Sequence, residues 1–157
     1  METLEFINVS IVLSQNLKNE VELEVKDHII SESDKLFCQY GFKSVTMDDI
    51  ARHLGMSKKT IYTFCDKNEI VNTVIDLKLS SQKCLIKNNI ETSENAVHEV
   101  FFAVTNMKQM LSNMNPILFY DLQKYHPKAW SYFNEFREKH LYAAIYDNLL
   151  MGIKEGY

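Results

Sequence analysis

Thr46-Met47-Asp48-Asp49-Ile50-Ala51-Arg52-His53-Leu54-Gly55-Met56-Ser57-Lys58-Lys59-Thr60-Ile61-Tyr62-Thr63-Phe64 reads as two short helices joined by a tight turn. Thr46 is suited to cap the first, with Asp48 and Asp49 in its opening turn, where carboxylates meet the positive end of the helix dipole. Met47, Ile50, Ala51 and Leu54 recur at helical spacing and form one apolar face. Gly55 follows, where a left-handed residue ends a helix. Met56 plugs the corner and Ser57 caps a second helix. There Ile61 and Phe64 point inward, leaving Lys58, Lys59, Thr60, Tyr62 and Thr63 outward. Ala51 is small enough to let the two helices cross closely. The pattern predicts a helix-turn-helix whose second helix offers cations and hydroxyls to a DNA groove.

Those outward residues have separable jobs. Lys58 and Lys59 reach phosphate or the acceptor edge of guanine, and Thr60 touches a base or a thymine methyl. Tyr62 and Thr63 donate hydroxyls to phosphates. Thr46, Ser57 and Lys67 stand at helix N-termini, which face the DNA backbone.

Working outward, Val25, Ile29, Ile30, Ser33, Leu36, Phe37 and Tyr40 share one helical face, and Gly41 ends that helix. Phe42 and Val45 fill the connection beneath it, closing a three-helix head over residues 25–70. Residues 1–24 show weak alternation at Leu4, Phe6, Asn8, Val9, Ser10 and Ile11 and are expected to be a loosely held extension. Asp66 caps a long helix running through Ile70, Val71, Val74, Ile75 and Leu77 towards Ile90. Val97, Val100, Phe101, Val104, Met107, Met110, Leu111 and Met114 predict another. Pro116 opens a short helix through Ile117, Leu118, Tyr120 and Leu122. Pro127 opens the last, with Trp130, Phe133, Phe136, Leu141, Ile145, Leu149 and Ile153 as its apolar stripe. The fold class is all-α, with residues 71–157 a helical body.

Residues from about Val25 to Leu79 resemble the N-terminal domain of the TetR (tetracycline repressor) family of transcription regulators. Leu36-Phe37, Tyr40-Gly41-Phe42, Thr46 to Ala51, Gly55 to Tyr62 and Asp66 to Val71 carry the resemblance, and Tyr120 to Pro127 continues it more weakly. One departure lies after Tyr62. The family places an aromatic three residues on and a lysine six on, whereas Phe64 and Lys67 stand at two and five. A second lies at Gly156-Tyr157, where the family continues for two more long helices, so the body is expected to be partial and its homodimer weak or absent. The resemblance implies a cytoplasmic repressor that binds double-stranded DNA and is released by a small apolar effector. Phe101, Met107, Met110, Tyr120, Trp130 and Phe133 are the candidates for lining the effector's pocket. A truncated interaction protein that pairs with a full-length relative is the alternative.

The bulk numbers agree. Apolar residues make up 46% of 157, and only four Gly and two Pro interrupt them. The net charge of −4 is mild and gives no support to wholesale coating of nucleic acid, while a sequence-specific binder needs only a local basic surface. Cys38, Cys65 and Cys84 form no close pair and suit a reducing compartment. No run approaches the roughly 18 apolar residues of a membrane span. There is no Gly-rich phosphate loop and no nucleophile elbow, and His28, His53, His98, His126 and His140 are scattered without ligand spacing. No catalytic residue, metal or cofactor is therefore expected.

Overall fold

The computed structural model describes residues 2–112 and 114–157, with side chains from Gln15 onward. All regular structure among the described residues is helical. Helix α1 (Glu2–Tyr40) begins well before Val25, so residues 2–24 continue it. Helix bonds are local and need no apolar partner, which is why residues 15–24 keep helical backbone while exposed. The side chains behind the alternation at 4–11 lie outside the described residues. Further on, Ile29, Ile30, Ser33 and Phe37 are buried as the spacing predicts, but Tyr40 is 52% exposed. The loop ahead of α6 occupies the end of α1 instead: Asn115 donates its backbone N–H to the Cys38 carbonyl (3.1 Å) and its amide to the Gln39 carbonyl (3.3 Å).

Helices α2 (Met47–Leu54) and α3 (Lys58–Tyr62) follow. The connection to α4 (Lys67–Thr92) is tight, with the backbone N–H groups of Phe64 and Cys65 both donating to the Ile61 carbonyl. Phe64 packs, half-buried, against the core. Asp66 and Glu69 form a reciprocal capping box at the start of α4. Ile70, Val71, Val74 and Ile75 then pack on α1, while Leu77 and Ile90 are exposed.

The body comprises α5 (Ala96–Ser112), α6 (Ile117–Tyr125), α7 (Pro127–Phe136), a π-helical segment (Arg137–Leu141) and α8 (Tyr142–Glu155). Two expectations change here. The helix carrying Val97 to Met114 forms, but Val97, Val100, Phe101 and Val104 face outward, and Met107 and Leu111 are about half-exposed. Its inner face is Ala96, Glu99, Asn106 and Met110, with Asn106 donating to Asn89 Oδ1 of α4 at 3.2 Å. The stripe opened by Pro127 also splits. Phe136 is buried and Trp130 and Phe133 are half-buried, yet Ile145, Leu149 and Ile153 are exposed. The π segment between them adds residues to one turn and rotates the downstream face. Against α5, α8 therefore presents Ala144, Asn148 and Gly152. Asn148 donates to the Ala96 carbonyl (3.0 Å), and Ala96 N–H donates to Glu155 Oε2 (2.9 Å).

A single cluster of buried residues unites head and body, from Ile29 and Phe37 through Ile50, Ile61 and Ile70 to Leu118, Leu122 and Ala129. Helix α6 is seated directly on the head. Gly41 holds φ +86° beneath Ile117 and Asp121, and the buried Asp121 carboxylate accepts the Lys43 backbone N–H at 2.8 Å.

Candidate nucleic-acid interface

The turn between α2 and α3 is built as its residues require. Gly55 has φ +64°, and Met56 N–H reaches back to the Ala51 carbonyl at 3.0 Å. Met47, Ile50, Ala51 and Ile61 are buried, so α3 packs against α2 through its inner face. Lys58, Lys59, Thr60, Tyr62 and Thr63 are all exposed. A short helix standing proud of a closed core, with polar side chains outward, fits the major groove.

Most of the surface's polar groups are already engaged by neighbours. Thr46 Oγ1 accepts Asp49 N–H (3.2 Å) and donates to Asp49 Oδ2 (2.6 Å), and the Thr46 N–H donates to the same carboxylate (2.9 Å). Its proton donors are thus spent on capping α2, and a phosphate reaches them only by displacing Asp49. Ser57 Oγ accepts Thr60 N–H at 3.0 Å and shares one hydroxyl proton with Thr60 Oγ1 at 2.7 Å, which leaves the other free. Thr63 Oγ1 donates to the Thr60 carbonyl. Lys58 is drawn to Asp48 across the two helices (2.9 Å), and that carboxylate holds its ammonium pKa above the ordinary value. Lys59 makes no ion pair with a described residue, and Tyr62 is 52% exposed. Lys67 is half-buried at the start of α4; burial lowers its pKa against the pull of Asp121 and Asp49. Behind this surface Glu32 of α1 bonds Lys35 and His53 of α2, which bring its carboxyl down to about 2.

Residues 29–74 match the family described as bacterial regulatory proteins, tetR family. The chain carries a tetR-family head. It is similar, at 33% identity over 104 residues, to the Bacillus subtilis (strain 168) protein described as uncharacterized HTH-type transcriptional regulator YvaF, covering 65% of this chain and 54% of that one. A second protein of that organism, the uncharacterized HTH-type transcriptional regulator YhgD, is 31% identical over 94 residues, covering 57% and 49%. The chain spans about half the length of these curated relatives. No solved structure matches it at a significant level. Among the described residues no helix is long and apolar enough to cross a membrane.

A partly open cavity of about 270 Å³ is lined by α1, α4, α5, α6 and the α7–π junction. Met107, Met110 and Phe133 line it. Phe101, Tyr120 and Trp130 do not: Phe101 is 65% exposed, Tyr120 is also exposed, and Trp130 stacks on Phe133 at 5.3 Å. The lining instead draws on α1 and α4, through Phe37, Ile75 and Leu79 and through polar groups that include the Asp34–Lys78 pair at 2.7 Å. Burial pulls the Lys78 pKa down, but the hydrogen bond and charge of Asp34 outweigh it and leave the ammonium above its ordinary value. Cys38 donates to Asp34 at 3.4 Å, and burial raises its thiol pKa. The partners Asp34 and Lys78 lie 44 residues apart, a separation no local pattern reveals.

Proposed function

We propose that this protein is a sequence-specific, DNA-binding transcription regulator that acts as a repressor and is released by a small apolar ligand. The observation that carries the reading is the capped α2–turn–α3 unit, with an outward face of Lys58, Lys59, Thr60, Tyr62 and Thr63. The cavity supports the second half. Its wall includes α1 and α4, so a ligand favouring one spacing of these helices shifts the head between binding and non-binding arrangements. The apolar faces of α5 and α8, exposed from Val97 to Leu111 and from Tyr142 to Ile153, offer surface for pairing two heads into a homodimer on a two-fold site. Selection from a randomised duplex pool, followed by sedimentation of the protein–DNA complex, tests the reading. The expected result is an enriched palindrome bound by two chains. An unenriched pool refutes sequence-specific recognition.

A further inference from the structure

We infer that the corner where the body meets the head, formed by Lys43, Lys124, Tyr120 and Tyr125, is a second binding site for the phosphodiester backbone of duplex DNA. The inference rests on the DNA-binding reading above and extends its footprint from the head into α6. Lys43 lies in the loop entering α2, three residues before Thr46, whereas Lys124 belongs to the body. Their ammonium groups converge on one ring, 5.2 and 5.5 Å from the Tyr125 centroid, and Lys124 also lies 5.2 Å from that of Tyr120. Cation–π contact and the hydrogen bond from Lys124 to Tyr120 Oη (2.8 Å) fix two flexible cations in place without neutralising them. None of the described carboxylates forms an ion pair with either lysine, in contrast to Lys35, Lys58, Lys78, Lys87 and Lys139. The Tyr125 phenol is held below its ordinary pKa, first by the Lys43 hydrogen bond, as expected where the potential is positive.

The corner also adjoins the start of α4, where Lys67 stands. His126 Nδ1 lies 3.2 Å from Asn68 Oδ1, which ties the end of α6 to the first turn of α4 beside Lys67. Asp121, the nearby acid, is buried and engaged by the Lys43 backbone. In a chain of net charge −4, such a corner attracts a polyanion locally. Two unpaired cations beside two phenolic hydroxyls match adjacent phosphates, and nothing in the set reads bases.

The test uses a labelled 30-base-pair mixed-sequence duplex and the full chain, with affinity measured between about 50 and 200 mM salt. Each phosphate contact adds about 0.9 to the log–log slope, so Lys43→Ala/Lys124→Ala should flatten it by about 1.8 and lose about twelvefold less affinity than wild type over that range. Lys43→Arg/Lys124→Arg should restore the slope, and Lys154→Ala on α8 should leave it unchanged. A melting temperature for each variant separates lost contact from lost fold. If Lys59→Ala flattens the slope and the Lys43/Lys124 variant does not, the corner is no DNA site and the head reading stands. If wild type shows no salt-dependent binding, both fall.

Discussion

Replacing Gly41 and Gly55 by alanine in separate variants measures how firmly the body is seated on the head. Both glycines have positive φ, +86° and +64°, and alanine in left-handed backbone costs about 1–2 kcal/mol. Only their surroundings differ. A Cβ on Gly55 meets nothing within 4 Å, so the backbone cost is the whole effect. A Cβ on Gly41 meets Ile117 Cγ2 at 2.8 Å and Asp121 Oδ2 at 3.0 Å. The isoleucine methyl can swing away. The carboxylate is 1% exposed and holds the Lys43 N–H, so moving it strands a buried acceptor at about 1–3 kcal/mol. Gly41→Ala should therefore cost about 2–5 kcal/mol against about 1–2 for Gly55→Ala. At roughly 2–4 °C per kcal/mol for a chain of this size, the two melting points separate by several degrees. Urea unfolding with an unchanged m-value makes the comparison clean. In an Asp121→Ala background much of the difference should vanish, because the two changes share a contact. Equal costs for the two glycines would refute the seating of α6 on Gly41.

Three further outcomes follow from the site. Asp48→Asn should release Lys58 and steepen the salt dependence of duplex binding by up to about 0.9 in log–log slope, with little change in melting because exposed pairs contribute under about 1 kcal/mol. An unchanged slope in a fluorescence-anisotropy titration would place Lys58 away from phosphate. His126 is held below the ordinary 6.5, first by burial, so the unfolded chain binds the extra proton more readily and stability drops as pH falls through 6.5. His126→Gln should flatten that part of the melting-temperature profile; a profile identical to wild type assigns the fall to another group. Lys78→Met should destabilise by about 1 kcal/mol, since it strands the part-exposed Asp34, and Asp34→Leu/Lys78→Met should recover most of the loss. Chemical denaturation of both variants checks it, and additive losses would count against coupling of the two side chains.

The head was legible because its signals are local. Thr46 and Asp49, Gly55, Ser57 and Asp66 each act within four residues of where they stand, and each cap forms as its residue type demands. The body was legible in the position of its helices but not in their facing. Periodicity locates the apolar stripe of α5; whether another element covers it depends on contacts such as Asn89–Asn106 and Ala96–Asn148, which join residues 17 and 52 apart. For the same reason Phe101, Tyr120 and Trp130 resembled pocket residues and do not line the cavity, whereas Asp34 and Lys78 of the first and fourth helices do. The start of α1 was missed because residues 15–24 carry no buried stripe, the usual sign of a helix on a core. One long-range feature did leave a trace. The stripe steps by three from Trp130 to Phe136 and then by five to Leu141, and that irregular step falls on the π segment.

That wide turn makes the rod from Pro127 to Glu155 a mechanical phase-shifter. One residue more or less in a helix turns everything beyond it by about 100° about the axis. Upstream, Trp130, Phe133 and Phe136 stay clamped to the interior; downstream, the residue count of the π turn sets which face of α8 meets α5, where Asn148 and Glu155 bond Ala96, and so leaves Ile145, Leu149 and Ile153 outward. Deleting a single residue between Arg137 and Leu141 would swing those three around the rod and take Asn148 off the Ala96 carbonyl, while leaving the upstream clamp in place. What α8 offers to its surroundings thus changes in discrete angular steps, set by the residue count of that one turn.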